Sequence, residues 1–379
     1  MPLKVMTIVG TRPEIIRLSQ VILRLDRTPG VEHILVHTGQ NYDHALNEIF
    51  FEDLGIRTPD HLLGVDTSSL GAMLGGTLIA AERVMLLERP DAVLVLGDTN
   101  SCIAAVMAKR LHIPTYHMEA GNRCFDENVP EETNRRLVDH IADFNMVYTE
   151  HARRNLLAEG LHPRRIIKTG SPMREVLDAH RSKIEASDVL HRLGLTEGGY
   201  FLVSAHREEN VDSPDRLRML LDCLTTVHKT FLKPIYVSTH PRTHKRLQAL
   251  PSLSEPEGIT FGNPLGFHDY NKLQLSSACC LSDSGTIAEE CSILGFPAAT
   301  LRDSIERPEA LDTGSIVMTG LNTRDVVRAI STNMQAASGR DRSMKEIPDE
   351  YRITNTSERA VNWILSTSSR HKQWAGIRA

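Results

Sequence analysis

DAVLVLGDTNSCIAAVMAKRLHIPTYHMEA, residues 91–120, sets two apolar runs around a helical pattern. The first run, 91–97, is apolar at nearly every position and closes on Gly97 and Asp98. From Ser101 the apolar residues recur at helical spacing as far as His112, and a second run, 114–119, follows directly. Strand, helix and strand in so short a space form a unit whose strands run parallel with a helix crossing between them.

The same alternation extends in both directions. Before it lie strands at 4–9 and 33–37 and a helical pattern from Pro13; after it comes a strand at 145–149. A weakly patterned segment follows, and alternation restarts at 200–205, continuing at 234–239, 258–261, 278–283, 296–301 and 315–320. At 379 residues the chain exceeds one ordinary core and suits two α/β domains. The boundary is expected near 172–198, giving domains 1–175 and 176–355, with a last helix in 356–379 packing back on the first.

Hydrophobic residues at 41% and charged residues at 24% are ordinary for a globular protein, and a net charge of −5 gives no signature of nucleic-acid binding. No apolar run of the roughly 18–20 residues needed to span a bilayer is read, and MPLKVMTIVG lacks a cleavable signal pattern. The basic end from Ser369 reads as a solvated helix terminus. Six cysteines without C-x-x-C or metal-ligand spacing point to a reduced, cytoplasmic chain, with Cys279 and Cys280 as buried thiols.

In open α/β sheets ligands bind beyond the carboxyl ends of the strands. Those ends carry GTRPE, GDTNS, EAGNR, HREEN, THPRT, DSGTIAEE and LRDSIERPE. Acids at such places are costly to bury without partners. Asp98, Glu119, Glu131, Glu132 and His206 therefore form a candidate reactive set, with Arg123, Arg135 and Arg136 as counter-charges. Ser284, Gly285 and Thr286 precede a helix pattern, where backbone N–H groups and a small residue suit a diphosphate, and Glu290 would meet ribose hydroxyls. A plain helix cap is the alternative. Arg12 is expected at a helix start because Pro13 suits the first helical turn. His37, His112 and His140 are read as structural. Neither G-x-G-x-x-G nor a P-loop follows any strand, which disfavours bound NAD and P-loop chemistry.

GTRPE, TGQ, GDT, EAG-x-R, PEE-x-NR, HR-x-EN, DSG-x-x-x-EE and ERPE, in this order from residue 10 to about 310, resemble the non-hydrolysing UDP-N-acetylglucosamine 2-epimerase family. The resemblance implies two Rossmann-like domains in the GT-B arrangement, a homodimer, and an inter-domain cleft for a UDP-2-acetamido sugar. No cofactor, metal, nucleic acid or membrane is expected. The resemblance also implies elimination of UDP across C1–C2 and its re-addition, since a 2-acetamido carbon bears no hydroxyl to oxidise. Asp98, Glu119 and Glu131 would be the acid/base carboxylates. Arg12 and His206 would lie by the diphosphate and sugar, with Arg135 in support. Ser284, Gly285 and Thr286 would hold phosphates, Glu290 the ribose and the Tyr270 region the uracil, and Arg307 would bind substrate.

The chain departs from the common pattern at Arg17, where Lys is usual, at Thr286, and at Asn41, Tyr42 and Asp43 after TGQ. The 64–71 stretch lacks the Arg/Gln expected beside an activating UDP-GlcNAc. GNRCFD, VPEETNR, STHPRT and HTGQNYD are similar to a branch acting on UDP-2-acetamido-2,6-dideoxy-L-talose in L-fucosamine formation. A GT-B glycosyltransferase and a non-catalytic UDP-sugar sensor are the rival readings.

Overall fold

In the computed structural model, residues 2–40, 44–239, 241–248, 256–339 and 346–378 are described; Asn41, Tyr42 and Asp43, and His240 of the STHPRT stretch, lie outside them. The chain divides into two compact units, 1–179 with 353–379, and 180–352.

The first unit is a seven-stranded sheet made of β1 (Leu3–Val9), β2 (Val31–His37), β3 (His61–Leu62), β4 (Ala92–Leu96), β5 (Thr115–Ala120), β6 (Phe144–Val147) and β7 (Ile166–Lys168). Their order is β3-β2-β1-β4-β5-β6-β7, all parallel. The order reverses between β1 and β4, so a crevice opens beyond the carboxyl ends of these two strands. Between strands lie α1 (Arg12–Arg27), α2 (Leu70–Glu88) and α3 (Glu131–Ile141). In α1 a buried stripe of Ile15, Leu18, Val21, Ile22 and Leu25 repeats every three to four residues, while Arg24 and Arg27 face the negative end of the helix dipole. On one face of the sheet Met6, Ile8, Ile34, Val36, Val93 and Val95 pack with Ala81, Val84 and Met85 of α2. Alternation along the strands produces that face.

α2 is the helix on which the membrane reading made from sequence bears. By length and composition it is apolar enough to cross a bilayer, with a mean hydropathy of 1.5 over its best window, and it is the one such helix among the described residues. Glu82 and Arg83 interrupt the run to the eye without lowering its average below a spanning value. Its inner side joins the core, yet Leu70, Ile79, Leu86 and Leu87 stand 56–69% exposed.

The second unit is a six-stranded parallel sheet of β8 (Phe201–Ser204), β9 (Ile235–Ser238), β10 (Ile259–Gly262), β11 (Cys279–Ser282), β12 (Ala298–Thr300) and β13 (Val317–Met318), in the order β10-β9-β8-β11-β12-β13. The reversal here lies between β8 and β11, with α4 (Ile287–Leu294) following β11. Cys279 and Cys280 are free thiols and belong to core clusters on opposite faces of this sheet, as consecutive strand residues must.

The last helix, α5 (Thr356–Thr367), belongs to the first unit and packs on α1. Thr356 Oγ1 donates to the carbonyls of Thr169 (3.2 Å) and Ser171 (3.1 Å), and Tyr116 and Thr367 share a hydroxyl bond of 2.7 Å. The basic end is only partly solvated: His371 is buried beside Asp143 and Phe144, and burial lowers its pKa.

Candidate active site

The first unit's crevice starts at Gly10–Thr11, where β1 meets α1. The N–H groups of Gly10 and Thr11 donate to Glu14 Oε2 at 2.9 and 2.7 Å, and Ser101 Oγ donates to its other oxygen. Burial raises the Glu14 carboxyl and these bonds pull it back. Arg12, half-buried at the head of α1, stands over the Phe50 ring at 5.6 Å.

At the end of β4, Gly97 takes φ +69°, a left-handed turn that suits glycine, and brings Asp98 off the strand. Asp98 Oδ2 accepts from Arg135 Nε (3.1 Å) and Nη2 (2.6 Å), and the Asp98 carbonyl accepts from Asn134 at 3.0 Å. Arg135 lies buried on α3 and also reaches Glu132 at 2.6 Å. Burial alone would raise the Glu132 carboxyl, but Arg135 carries it below its ordinary value. Glu131 is half-buried in the first turn of the same helix, where the dipole favours an anion.

Glu119 closes β5 in an unusual way. Its φ is +65° in a residue with a full side chain, and the pairing of β5 with β6 shifts register between Met118 and Ala120. Such a conformation costs roughly 1–3 kcal/mol and persists only where surroundings enforce it. The carboxylate is buried, with Oε2 2.5 Å from Arg17 Nη1. Arg17 comes from α1, where a charged residue inside the apolar stripe was the signal for a buried partner.

In the second unit, the Asp283 carboxylate accepts the N–H groups of His206 (3.0 Å) and Arg207 (3.0 Å) and Asn210 Nδ2 (3.1 Å), so it fixes the loop after β8. Ser284, Gly285 and Thr286 form the turn into α4, with no side-chain cap on its first amides. The Gly285 carbonyl accepts from Arg307 Nη1 at 2.8 Å, and Arg307 lies 3.3 Å from each of Glu289 and Glu306. A Cβ on Gly285 would fall 2.7 Å from Glu306 Oε1 and 2.8 Å from Arg307 Nη1, so the ends of these two side chains would have to shift. Glu290, buried in the first turn of α4, accepts from Gln274 Nε2 at 2.5 Å. Tyr270 is half-buried on the 267–276 helix, and burial raises its phenol.

The expected residues thus fall into two sets. Arg12, Asp98, Glu119, Glu131 and Arg135 gather beyond β1, β4 and β5; His206, Tyr270, Ser284, Gly285, Thr286, Glu290 and Arg307 belong to the second unit. Sequence reasoning assigned no role to Glu14, Asp283, Glu289 and Glu306, which bond to the turns and side chains of these sets. Among the described residues no cluster of three or more potential metal ligands occurs.

The profile of the UDP-N-acetylglucosamine 2-epimerase family matches residues 23–365. A UDP-N-acetylglucosamine 2-epimerase of Methanocaldococcus jannaschii is 36% identical, over 86% of this chain and 91% of the relative. The chain belongs to this family. It is an epimerase. A UDP-2,3-diacetamido-2,3-dideoxy-D-glucuronate 2-epimerase of Pseudomonas aeruginosa is 34% identical, over 88% and 92% of the two chains. Among solved structures, a UDP-N-acetylglucosamine 2-epimerase from Rickettsia bellii is 44% identical with a TM-score of 0.92 over the whole of both chains. The M. jannaschii epimerase in complex with UDP-GlcNAc and UDP is 34% identical, with a TM-score of 0.89 over 96% of this chain and all of that one. A glycosyltransferase of kitacinnamycin at 11% identity and a TM-score of 0.60 shares the fold.

Proposed function

We propose that this chain inverts C2 of a UDP-2-acetamido sugar, converting UDP-GlcNAc and UDP-ManNAc by eliminating UDP and adding it back. The observation that carries the reading is the pair of carboxylates on adjacent strand ends, Asp98 and Glu119, each held by a buried arginine. Binding a neutral sugar ring calls for no such acids; removing a proton from carbon does. The C2 proton is weakly acidic, so its removal is coupled to departure of the nucleotide. A carboxylate takes the proton, the C2–H electrons become the C1=C2 bond, and the C1–O bond breaks with its pair leaving on UDP. UDP oxygen then returns to C1 while C2 takes a proton on its opposite face. Asp98, Glu119 and Glu131 serve this proton traffic, with Arg135 supporting Asp98. Arg12, Arg307, His206 and the Ser284–Gly285–Thr286 turn balance the diphosphate, Glu290 takes the ribose hydroxyls and Tyr270 neighbours the uracil.

The GNRCFD, VPEETNR and HTGQNYD stretches favour a second substrate reading, UDP-2-acetamido-2,6-dideoxy-L-talose, with the same chemistry. The exposed apolar side of α2 supports a homodimer. Incubation with each UDP-sugar in D2O, followed by proton NMR, tests the reading. Deuterium at C2 and appearance of the C2 epimer are expected. Net release of UDP without deuterium at C2 would indicate transfer or hydrolysis instead.

A further inference from the structure

His117 is wholly buried on β5, two residues before Glu119. Its Nε2 lies 2.7 Å from the carbonyl of Gly97, and its Nδ1 lies 2.9 Å from Asp139 Oδ1. Both neighbours are acceptors, a carbonyl and a carboxylate, so each ring nitrogen donates. Gly97 is the left-handed residue that turns the chain into Asp98. Asp139 sits on α3, one turn beyond Arg135, which grips the Asp98 carboxylate. The helix therefore holds this turn twice, once at the side chain and once at the backbone through the imidazole.

The other side of Asp139 reaches past Glu119. Gly121 N donates to both its oxygens at 3.1 Å, and Arg123 Nη1 donates to Oδ2 at 2.7 Å. Arg123 continues to Glu159, which also meets His140 at 2.9 Å. One buried carboxylate thus ties down the backbone that follows the strained Glu119, and the ring bonded to it ties down the backbone that precedes Asp98.

We propose that His117 is the positioning residue for Asp98, fixing the Gly97–Asp98 turn from one ring nitrogen while Asp139 orients the ring from the other. This rests on the role given above to Asp98. Two substitutions separate its bonds: Gln places its amide nitrogen near the position of Nε2, and Asn near that of Nδ1. His117→Gln retains the bond to Gly97 and most of the turnover. His117→Asn retains the bond to Asp139, loses tenfold or more in kcat, and binds UDP as the wild type does. In nitrogen-15 spectra of the wild type, the resonance lost in H117Q carries a proton on each ring nitrogen. Equal kcat in the two variants, or a bare ring nitrogen in the wild type, would overturn the proposal. The ring spectrum decides the matter alone should H117N not fold. Absence of C2 exchange in the wild type strikes the epimerase mechanism and leaves this spectrum unaffected, so the two failures are distinguishable.

Discussion

At the scale of single residues, Asp98 and Glu119 differ from an ordinary surface acid in what holds them. A bidentate arginine grips one oxygen of Asp98 and a buried arginine one oxygen of Glu119, so a fixed cation orients each carboxylate. Asp98→Asn or Glu119→Gln is expected to leave UDP affinity within a few-fold while turnover falls by about 10²-fold or more, as for loss of an acid/base group. Isothermal titration with UDP and a C2-exchange assay measure the two quantities; wild-type turnover from either variant would remove the assigned role. Gly285→Ala is expected to do the reverse. Its Cβ would press on Glu306 and Arg307, weakening UDP binding at least tenfold, with C2 exchange at saturating substrate less affected. The acids were legible because they end apolar strands. Their partners were less so: Arg17 in the apolar stripe of α1 hints at a buried acid without saying which, Arg135 is an ordinary letter in a helical run, and only the fold brings them onto Glu119 and Asp98.

Elements carry a different constraint, visible in β2. His37, at its carboxyl end, accepts a hydrogen bond from Gly39 N on Nδ1 at 3.0 Å, which requires an unprotonated nitrogen there. Burial lowers its pKa from 6.5 to about 4. A histidine depressed in the folded state stabilises fully above its unfolded pKa and loses that contribution as pH falls from about 6.5 to about 4, some 3 kcal/mol in all. Chemical denaturation across this window should show the loss in the wild type. His37→Asn, whose side-chain oxygen can accept from Gly39, should flatten it; parallel curves would show that His37 contributes nothing to the pH dependence. The sequence reading of His37 as structural agrees with its burial. The longer strands were legible from apolar runs, as were the equally short β12 and β13, which sit inside longer apolar stretches; β3 and β7 lie in brief apolar stretches beside charged residues, which leave no run to read. The glycine turns after β4 and β11 were visible as letters; the positive φ of Glu119 was not, because a backbone angle enforced by neighbouring strands has no local signature.

For the whole molecule, the restart of alternation near residue 200 exposed the two-unit plan, whereas the outer side of α2 went unnoticed. Burying Ile79, Leu86 and Leu87 in each of two copies, at roughly 2 kcal/mol a side chain, gives on the order of 12 kcal/mol against association costs of about 4–15 kcal/mol.

 The gain is thus of the same size as the cost, so a single buried charge in that surface is enough to reverse the balance. Ile79→Glu places two carboxylates, one from each copy, in an apolar contact with no partner, and Leu86→Glu does the same one heptad further along α2. Sedimentation velocity at micromolar concentration is expected to show a dimer for the wild type and a monomer for either variant. Glu82→Gln, also exposed on this helix, is expected to leave the dimer intact. A wild-type chain that sediments as a monomer, or that floats with lipid vesicles while I79E does not, would assign the apolar side of α2 to a bilayer surface rather than to a second copy.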